Sequence, residues 1–183
     1  NIPESEMSGI ELELIGILSD TLSMDLRIST LDTEITADYE ALDNIKSERY
    51  FFGGEADRYA LRENIKGNQL AKSPEFTANF GLKYDGELKS GTPLRATAEL
   101  IHRDDFQQRV FNSPFVDKVD SYTVLNFTTS LELSDSAGVD FMILNATDKD
   151  GMNSAMTDVF GVAGTGVELI PPRQFIVRFR KSY

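Results

Sequence analysis

Between residues 76 and 84 every even position is apolar (Phe76, Ala78, Phe80, Leu82, Tyr84), while Thr77, Asn79, Gly81 and Lys83 stand between them. A period of two sends successive side chains to opposite faces of a strand. The pattern returns at Leu94, Ala96, Ala98 and Leu100, and at Leu22, Met24, Leu26 and Ile28. Ile10, Leu12 and Leu14 flank Glu11 and Glu13, and Leu125, Phe127, Leu131 and Leu133 share one face. The last segment sets Phe175, Val177, Phe179 and Tyr183 against Gln174, Arg178, Arg180 and Ser182. Segment 139–147 is strand-like too, but the run Phe141-Met142-Ile143-Leu144 leaves its two faces unassigned. A helical period of 3.6 would scatter the charges of these runs around every face. The pattern therefore predicts seven strands, at 7–17, 21–35, 74–84, 93–103, 121–133, 138–148 and 172–183.

The gaps between them alternate. Residues 18–20, 85–92 and 134–137 are short connections, whereas 36–73, 104–120 and 149–171 are long. Outer-membrane barrels alternate in this way, with short periplasmic turns and long external loops. A soluble ligand-binding barrel has the same side-chain period with its apolar face inward, so the loop asymmetry favours the membrane. With short turns in the periplasm, the seventh strand runs down to a periplasmic C-terminus. The first and seventh strands are then parallel, and an all-antiparallel sheet does not close on itself with seven strands. The segment reads as an arc of a larger barrel, or as a barrel with a further strand elsewhere in the chain.

Composition narrows the chemistry. The 183 residues carry 18 Lys and Arg against 30 Asp and Glu, a net charge of −12, which disfavours nucleic acid as a partner. With no Cys there is no disulfide framework and no thiolate chemistry, and the single His, His102, leaves no His cluster for zinc. No stretch approaches the roughly 18 apolar residues of a membrane helix, a test that a membrane β-barrel passes unseen.

Several local sequences, in order, resemble the C-terminal portion of the barrel of TonB-dependent outer-membrane receptors. They are Gly9-Ile10-Glu11-Leu12-Glu13-Leu14, Leu31-Asp32-Thr33-Glu34, and Gly67-Asn68-Gln69-Leu70 with Pro74 and Phe76. Tyr122-Thr123-Val124-Leu125-Asn126, Asn145-Ala146-Thr147-Asp148 and Pro172-Arg173-Gln174-Phe175 complete the set. Ala146 departs from the usual Leu, Tyr183 from the commoner final Phe, and without Trp an interfacial girdle must use Tyr and Phe. The resemblance implies an all-β, antiparallel up-and-down transmembrane meander, residues 1–183 forming about seven strands of a barrel of about 22. It implies uptake of a scarce nutrient (a ferric siderophore, vitamin or glycan) across the outer membrane of a Gram-negative cell, using energy from TonB. The plug and the TonB-contacting box of the family would lie upstream of Asn1. Expected partners are outer-membrane lipid, the TonB complex through that upstream region, the barrel-assembly machinery and a small-molecule ligand. The final-strand residues Phe175, Val177, Phe179 and Tyr183 resemble the signal read by that machinery.

No catalytic, cofactor or metal residue is expected, and the chain reads as no enzyme. Two rivals remain: a complete small outer-membrane barrel, structural or a rim enzyme using His102 with Asp104 or Asp105, and a soluble β-barrel carrier. Asp148-Lys149-Asp150-Gly151 with Asn153 is superficially like a calcium loop, but lacks the spacing to a bidentate Glu, and a turn is the preferred reading. Gly-rich 160–166 has no Lys-Ser/Thr ending and reads as a flexible outer loop. Charges expected to face inward are Glu11, Glu13, Asp25, Arg27, Glu75, Lys83, Arg95, Glu99, Arg178 and Arg180, forming a solvated wall or, in part, a contact for the plug. In 36–73 the aromatics Tyr39, Tyr50, Phe51, Phe52 and Tyr59 either grip a ligand or fold the loop on itself, and Leu42 with Ile45 hints at a short helix.

Overall fold

The computed structural model describes residues 2–43, 45–46, 61–157 and 164–182. Seven strands form one antiparallel sheet: β1 (Glu6–Ser19), β2 (Leu22–Glu34), β5 (Phe76–Glu87), β6 (Pro93–Arg103), β9 (Tyr122–Ser134), β10 (Ala137–Leu144) and β13 (Gln174–Lys181). Each pairs with the next in chain order, and β1 and β13 are the sheet's edges among the described residues. All seven expected strands are present, with ends shifted by a few residues. The three short connections lie at one end of the sheet and the three long ones at the other. Each long connection also holds a hairpin that the side-chain period did not reveal. These are β3 (Glu40–Leu42) with β4 (Arg62–Asn64), β7 (Phe106–Gln107) with β8 (Lys118–Val119), and β11 (Met152–Thr157) with β12 (Thr165–Leu169). Strands of two to six residues are too short to show alternation.

Two expectations change in the loops. Thr165 and Gly166, from the Gly-rich stretch, belong to β12 and pair with Thr157 and Met156. The β3–β4 hairpin pairs only within itself, so the described part of 36–73 adds no strand to the sheet. Of the pair that hinted at a helix, Leu42 belongs to β3, and residues 47–60 lie outside the described ones. Ile45 and Lys46 take helical conformation where Asp43 Oδ1 accepts hydrogen bonds from their backbone N–H groups (2.9 and 3.4 Å). That is the geometry of an N-cap carboxylate.

Cross-strand register assembles one apolar face over the whole sheet. Leu14, Leu26, Phe80, Leu100 and Leu125 form one row; Met24, Leu82, Ala98, Phe127, Ile143 and Phe175 form the next. Tyr84, Ala96, Thr129, Phe141 and Val177 follow, then Leu94, Leu131, Val139 and Phe179. Register also assigns β10: Val139, Phe141 and Ile143 share this face, while Asp140, Met142 and Leu144 share the other. Exposure on this face is strongest on the edge strands, Ile10 at 73%, Phe175 at 72% and Phe179 at 81%, and falls to 37–39% at Phe80, Leu100 and Phe127, with Val139 buried. That excludes an apolar centre closed off from solvent by these residues. The residues fully withdrawn from solvent (Ile35, Ile65, Val119, Asp43 and Asp117) belong instead to the long connections.

Candidate functional site

The polar face of the sheet carries the charges, and strand register decides which of them meet. Glu13 lies opposite Arg27, and the Arg27 Nε to Glu13 Oε1 distance is 2.9 Å. Asp25, two residues along β2, takes Lys83 of β5 at 2.6 Å. Gly81 stands directly opposite Asp25, where a Cβ would sit 2.7 Å from Asp25 Oδ1. A side chain there would displace the carboxylate from between Arg27 and Lys83. Near the other edge Arg180 reaches both Glu132 (2.9 Å) and Asp140 (3.2 Å), passing over Gly138. Between these groups runs an uncharged-to-charged relay. Asn79 and Asn126 each donate an amide hydrogen to Glu99, at 3.1 and 3.2 Å, and Asn126 Oδ1 accepts from the Asn145 N–H at 2.9 Å. The charges Glu11, Glu13, Asp25, Arg27, Lys83, Arg95, Glu99, Arg178 and Arg180 thus share one face of the sheet, while Glu75 precedes β5 and lies in no strand. Asp85 and Asp140, which complete pairs with Arg95 and Arg180, were hidden by a turn position and by the ambiguous parity of β10, whereas Glu132, between Leu131 and Leu133, was legible from alternation and overlooked.

Above this wall the long connections are fastened to each other. Arg109, between β7 and β8, donates from Nε to Asp117 Oδ1 (2.5 Å), from Nη2 to Asp117 Oδ2 (3.2 Å) and from Nη1 to Asp43 Oδ1 (2.8 Å). Asp43 belongs to the first long connection and Asp117 to the second, so one guanidinium joins the two. Burial pulls the Arg109 pKa down, but the hydrogen bonds from its guanidinium to Asp117 and Asp43 more than offset that and raise it overall. A raised cation pKa adds stability below the unfolded value and loses it only as pH climbs through the folded one, well above physiological pH. Beside it, Asn112 Oδ1 accepts from Gln69 N–H (2.8 Å), Asn112 Nδ2 donates to Gln69 O (3.1 Å), and Asn68 Nδ2 donates to Val110 O (2.8 Å). The third long connection is held by Arg103. Its guanidinium lies 4.6 Å from the Phe106 ring centre and 4.5 Å from that of Tyr122, and donates to the carbonyls of Met152 (2.6 Å) and Asn153 (2.7 Å). No spacing rule points to Arg109, Asp117 and Asp43, because loop residues carry no period to read.

The candidate chemistry resolves differently. His102 stands on the apolar face, its ring 5.8 Å from that of Phe76 and its Nδ1 2.7 Å from Thr123 Oγ1. Neither Asp104 nor Asp105 is recorded against it; Asp105 instead pairs with Lys118 at 3.3 Å. Alternation explains this, since His102 shares the parity of Ala98 and Leu100. Asp148, from the calcium-like stretch, is bonded to Arg173, through the backbone N–H at 2.9 Å and the guanidinium at 3.3 Å. Asn153 Nδ2 bonds Glu168 at 3.1 Å. The expected turn is there, closed by the Asp148 N–H on Asn145 O at 2.9 Å.

No protein-family model matches the chain, and no curated protein matches it in sequence. Solved structures do match its fold. The siderophore receptor PiuA from Acinetobacter baumannii superposes over 98% of this chain with a TM-score of 0.73 at 19% identity. The ferric yersiniabactin uptake receptor FyuA from Yersinia pestis covers 98% at 0.73 and 13% identity. The ferric citrate transporter FecA covers 97% at 0.67 and 12% identity. All are TonB-dependent receptors. This chain has the fold of a section of a TonB-dependent receptor barrel. It spans 22% of PiuA and 24% of FyuA and of FecA, less than a quarter of each.

Three of the stretches that carried the resemblance to these receptors meet in space. Asn145 ends β10 at a positive φ of 49°. Its amide donates to the carbonyls of Lys149 (2.9 Å) and Pro171 (3.0 Å), and its Oδ1 accepts from Lys149 N–H (2.9 Å). Leu125 O accepts from Ala146 N–H at 2.7 Å, and Asp148 holds Arg173. The stretches at 122–126, 145–148 and 172–175 thus form one knot at the base of the third long connection. Of the final-strand residues, Phe175, Val177 and Phe179 lie exposed on the apolar face; Tyr183 lies outside the described residues. Of the loop aromatics, Tyr39 is half-buried and its carbonyl accepts from Ile65 N–H at 3.0 Å. Tyr50, Phe51, Phe52 and Tyr59 lie outside the described residues.

Proposed function

We propose that this chain is the C-terminal part of the barrel of an outer-membrane receptor that takes up a scarce nutrient with energy supplied through TonB. The observation that carries the reading is the continuous, exposed apolar face opposite a face of paired charges. Water disfavours such a face, while the hydrocarbon core of a bilayer accepts it and the polar face lines an aqueous or plugged lumen. Free edges at β1 and β13 would each leave a row of N–H and C=O groups unsatisfied in hydrocarbon, so the wall is completed by further strands of a longer chain. In this arrangement the three long connections are external, the short turns and the C-terminus periplasmic, and the nutrient belongs to the ferric siderophore, vitamin or glycan class. The upstream region supplies the plug and the contact with TonB, and the residues here act as wall and recognition surface rather than as an enzyme.

Phe175, Val177, Phe179 and Tyr183 then serve both as lipid-facing side chains and as the signal for barrel assembly. The test uses the full-length protein in a Gram-negative host. It is expected in the outer-membrane fraction as a heat-modifiable barrel, supporting nutrient uptake that falls to background in a TonB-deficient strain. Deleting Phe179 to Tyr183 is expected to remove it from that fraction. A soluble protein, or uptake indifferent to TonB, would overturn the reading.

A further inference from the structure

One cavity outside the charged wall has a chemistry of its own. It measures about 450 Å³ and lies where the polar face meets the third long connection. Its floor is an apolar patch on a face otherwise rich in charge: Ile101 and Val124 are register partners, and Leu144 follows on β10. Its roof is the chain on either side of the β11–β12 hairpin, with Ile170 tied to Gly151 O at 3.0 Å. Gly151 lets the roof close down, since a Cβ there would meet Ile170 Cδ1 at 2.9 Å and Tyr122 Cδ1 at 3.2 Å. Arg103 fixes the far side by its bonds to Met152 and Asn153.

The polar groups of the lining are mostly spent. Asn126 is used by Glu99 and Asn145, and Asn145 by Lys149 and Pro171. Among the described residues, the side-chain groups left are the Tyr122 hydroxyl, Asn153 Oδ1 and one oxygen of Glu168, whose other oxygen takes Asn153 Nδ2 at 3.1 Å. The lining includes a carboxylate and no Lys or Arg. The adjacent cation, Arg103, lies against two rings and donates from Nη1 and Nη2 to carbonyls, while its Nε is buried and, among the described residues, without a hydrogen-bond partner. An anionic group entering here would meet Glu168 with no side-chain cation in the lining to offset it.

We propose that this cavity receives an apolar, ring-sized part of the cargo that bears an N–H or O–H donor, neutral or cationic, and discriminates against carboxylate- or phosphate-bearing groups. The inference rests on the receptor reading and narrows its substrate class.

A matched pair of probes tests it on the full-length receptor in detergent, by saturation-transfer NMR. The probes are 2-phenylethylammonium and 3-phenylpropanoate, alike in ring and length and opposite in charge. The ammonium probe is expected to give a signal at least about fivefold the stronger, consistent with about 1 kcal/mol of discrimination. Val124→Trp, which fills the floor, is expected to abolish that signal, and Glu168→Gln, at an exposed site, to bring the two probes within about twofold. Heat-modifiability of each variant shows that it remains a folded barrel. Equal signals from the two probes, a signal indifferent to Val124→Trp, or no signal from either because another part of the chain fills the cavity would each overturn the proposal. A folded outer-membrane barrel with TonB-dependent uptake that fails this test leaves the receptor reading standing. A chain that is no outer-membrane barrel removes both.

Discussion

The wall and the long connections are built for opposite surroundings. In the wall the largest apolar side chains are the exposed ones, such as Phe179 and Ile10, while the opposite face carries ion pairs. In the connections Ile35, Ile65, Phe106 and Val119 are buried in small cores of their own, although Phe115, Met156 and Leu169 stay exposed. Charge follows the same inversion. Arg27 and Glu13 pair with more than half of each side chain in solvent, whereas Asp43 and Asp117 are almost wholly buried around Arg109. The difference teaches that one chain can satisfy two solvents, provided that its apolar surface is sorted by segment. Without the wall's exposed face the molecule would look like a failed soluble domain; without the cores of the connections it would carry no ordered surface to present.

The comparison is broken most severely at the clasp. Arg109→Met leaves two buried carboxylates without their shared cation, and losing one partner of a buried pair costs about 3–5 kcal/mol. Hydrogen exchange in the full-length protein is expected to quicken in Tyr39–Asp43 and Gln107–Val119 while β5, β6 and β9 keep their protection. Equal quickening throughout would show that the connections and the wall are a single cooperative unit.

On the wall, Phe127→Arg puts a cation on the apolar face near the middle of β9, at a cost of about 2–4 kcal/mol if that face meets the bilayer midplane. Thr128→Arg, one residue along and on the polar face, is expected to show no comparable loss in urea unfolding of the lipid-reconstituted protein. Equivalent losses at both positions would remove the distinction between the faces.

A smaller effect is expected where wall and connection join. Asn145→Ala loses three side-chain hydrogen bonds and places a Cβ residue at a φ that alanine disfavours, for about 1–3 kcal/mol. Asn145→Gly, which accepts that φ, is expected to be the milder variant, as read by proteolysis of the third connection. The smallest change is Arg27→Gln. Its exposed pairing with Glu13 is expected to leave the unfolding midpoint where it was, and a marked drop would mean that the lumen face is far less wet than the wall's charges suggest.

How much of this was legible depends on periodicity. Alternation was enough to place all seven wall strands and to put Glu13, Asp25, Arg27, Lys83 and Glu99 on one face, because a pleated strand allows only two faces. It failed in β10, where Phe141-Met142-Ile143-Leu144 is apolar on both sides: Met142 and Leu144 turn inward, and Leu144 supplies part of the cavity floor. It failed in the connections because the Arg109 clasp joins residues 8 and 66 positions apart, and none of the three sits on a strand whose period could place it. His102 was judged by its neighbours in sequence, Asp104 and Asp105, when its parity with Leu100 already sends it to the apolar side.

The most direct measurement is spin labelling of the full-length protein in outer-membrane lipid at Leu100, Phe127 and Phe141 on one face and at Thr97, Thr128 and Asp140 on the other. The labels at the first three sites are expected to collide with oxygen, which concentrates in the bilayer, and to be shielded from a water-soluble nickel chelate. The labels at the second three are expected not to show that lipid signature. Contact with the nickel chelate at Leu100, Phe127 and Phe141, or the same profile on both faces, would contradict a wall that turns its apolar side to lipid.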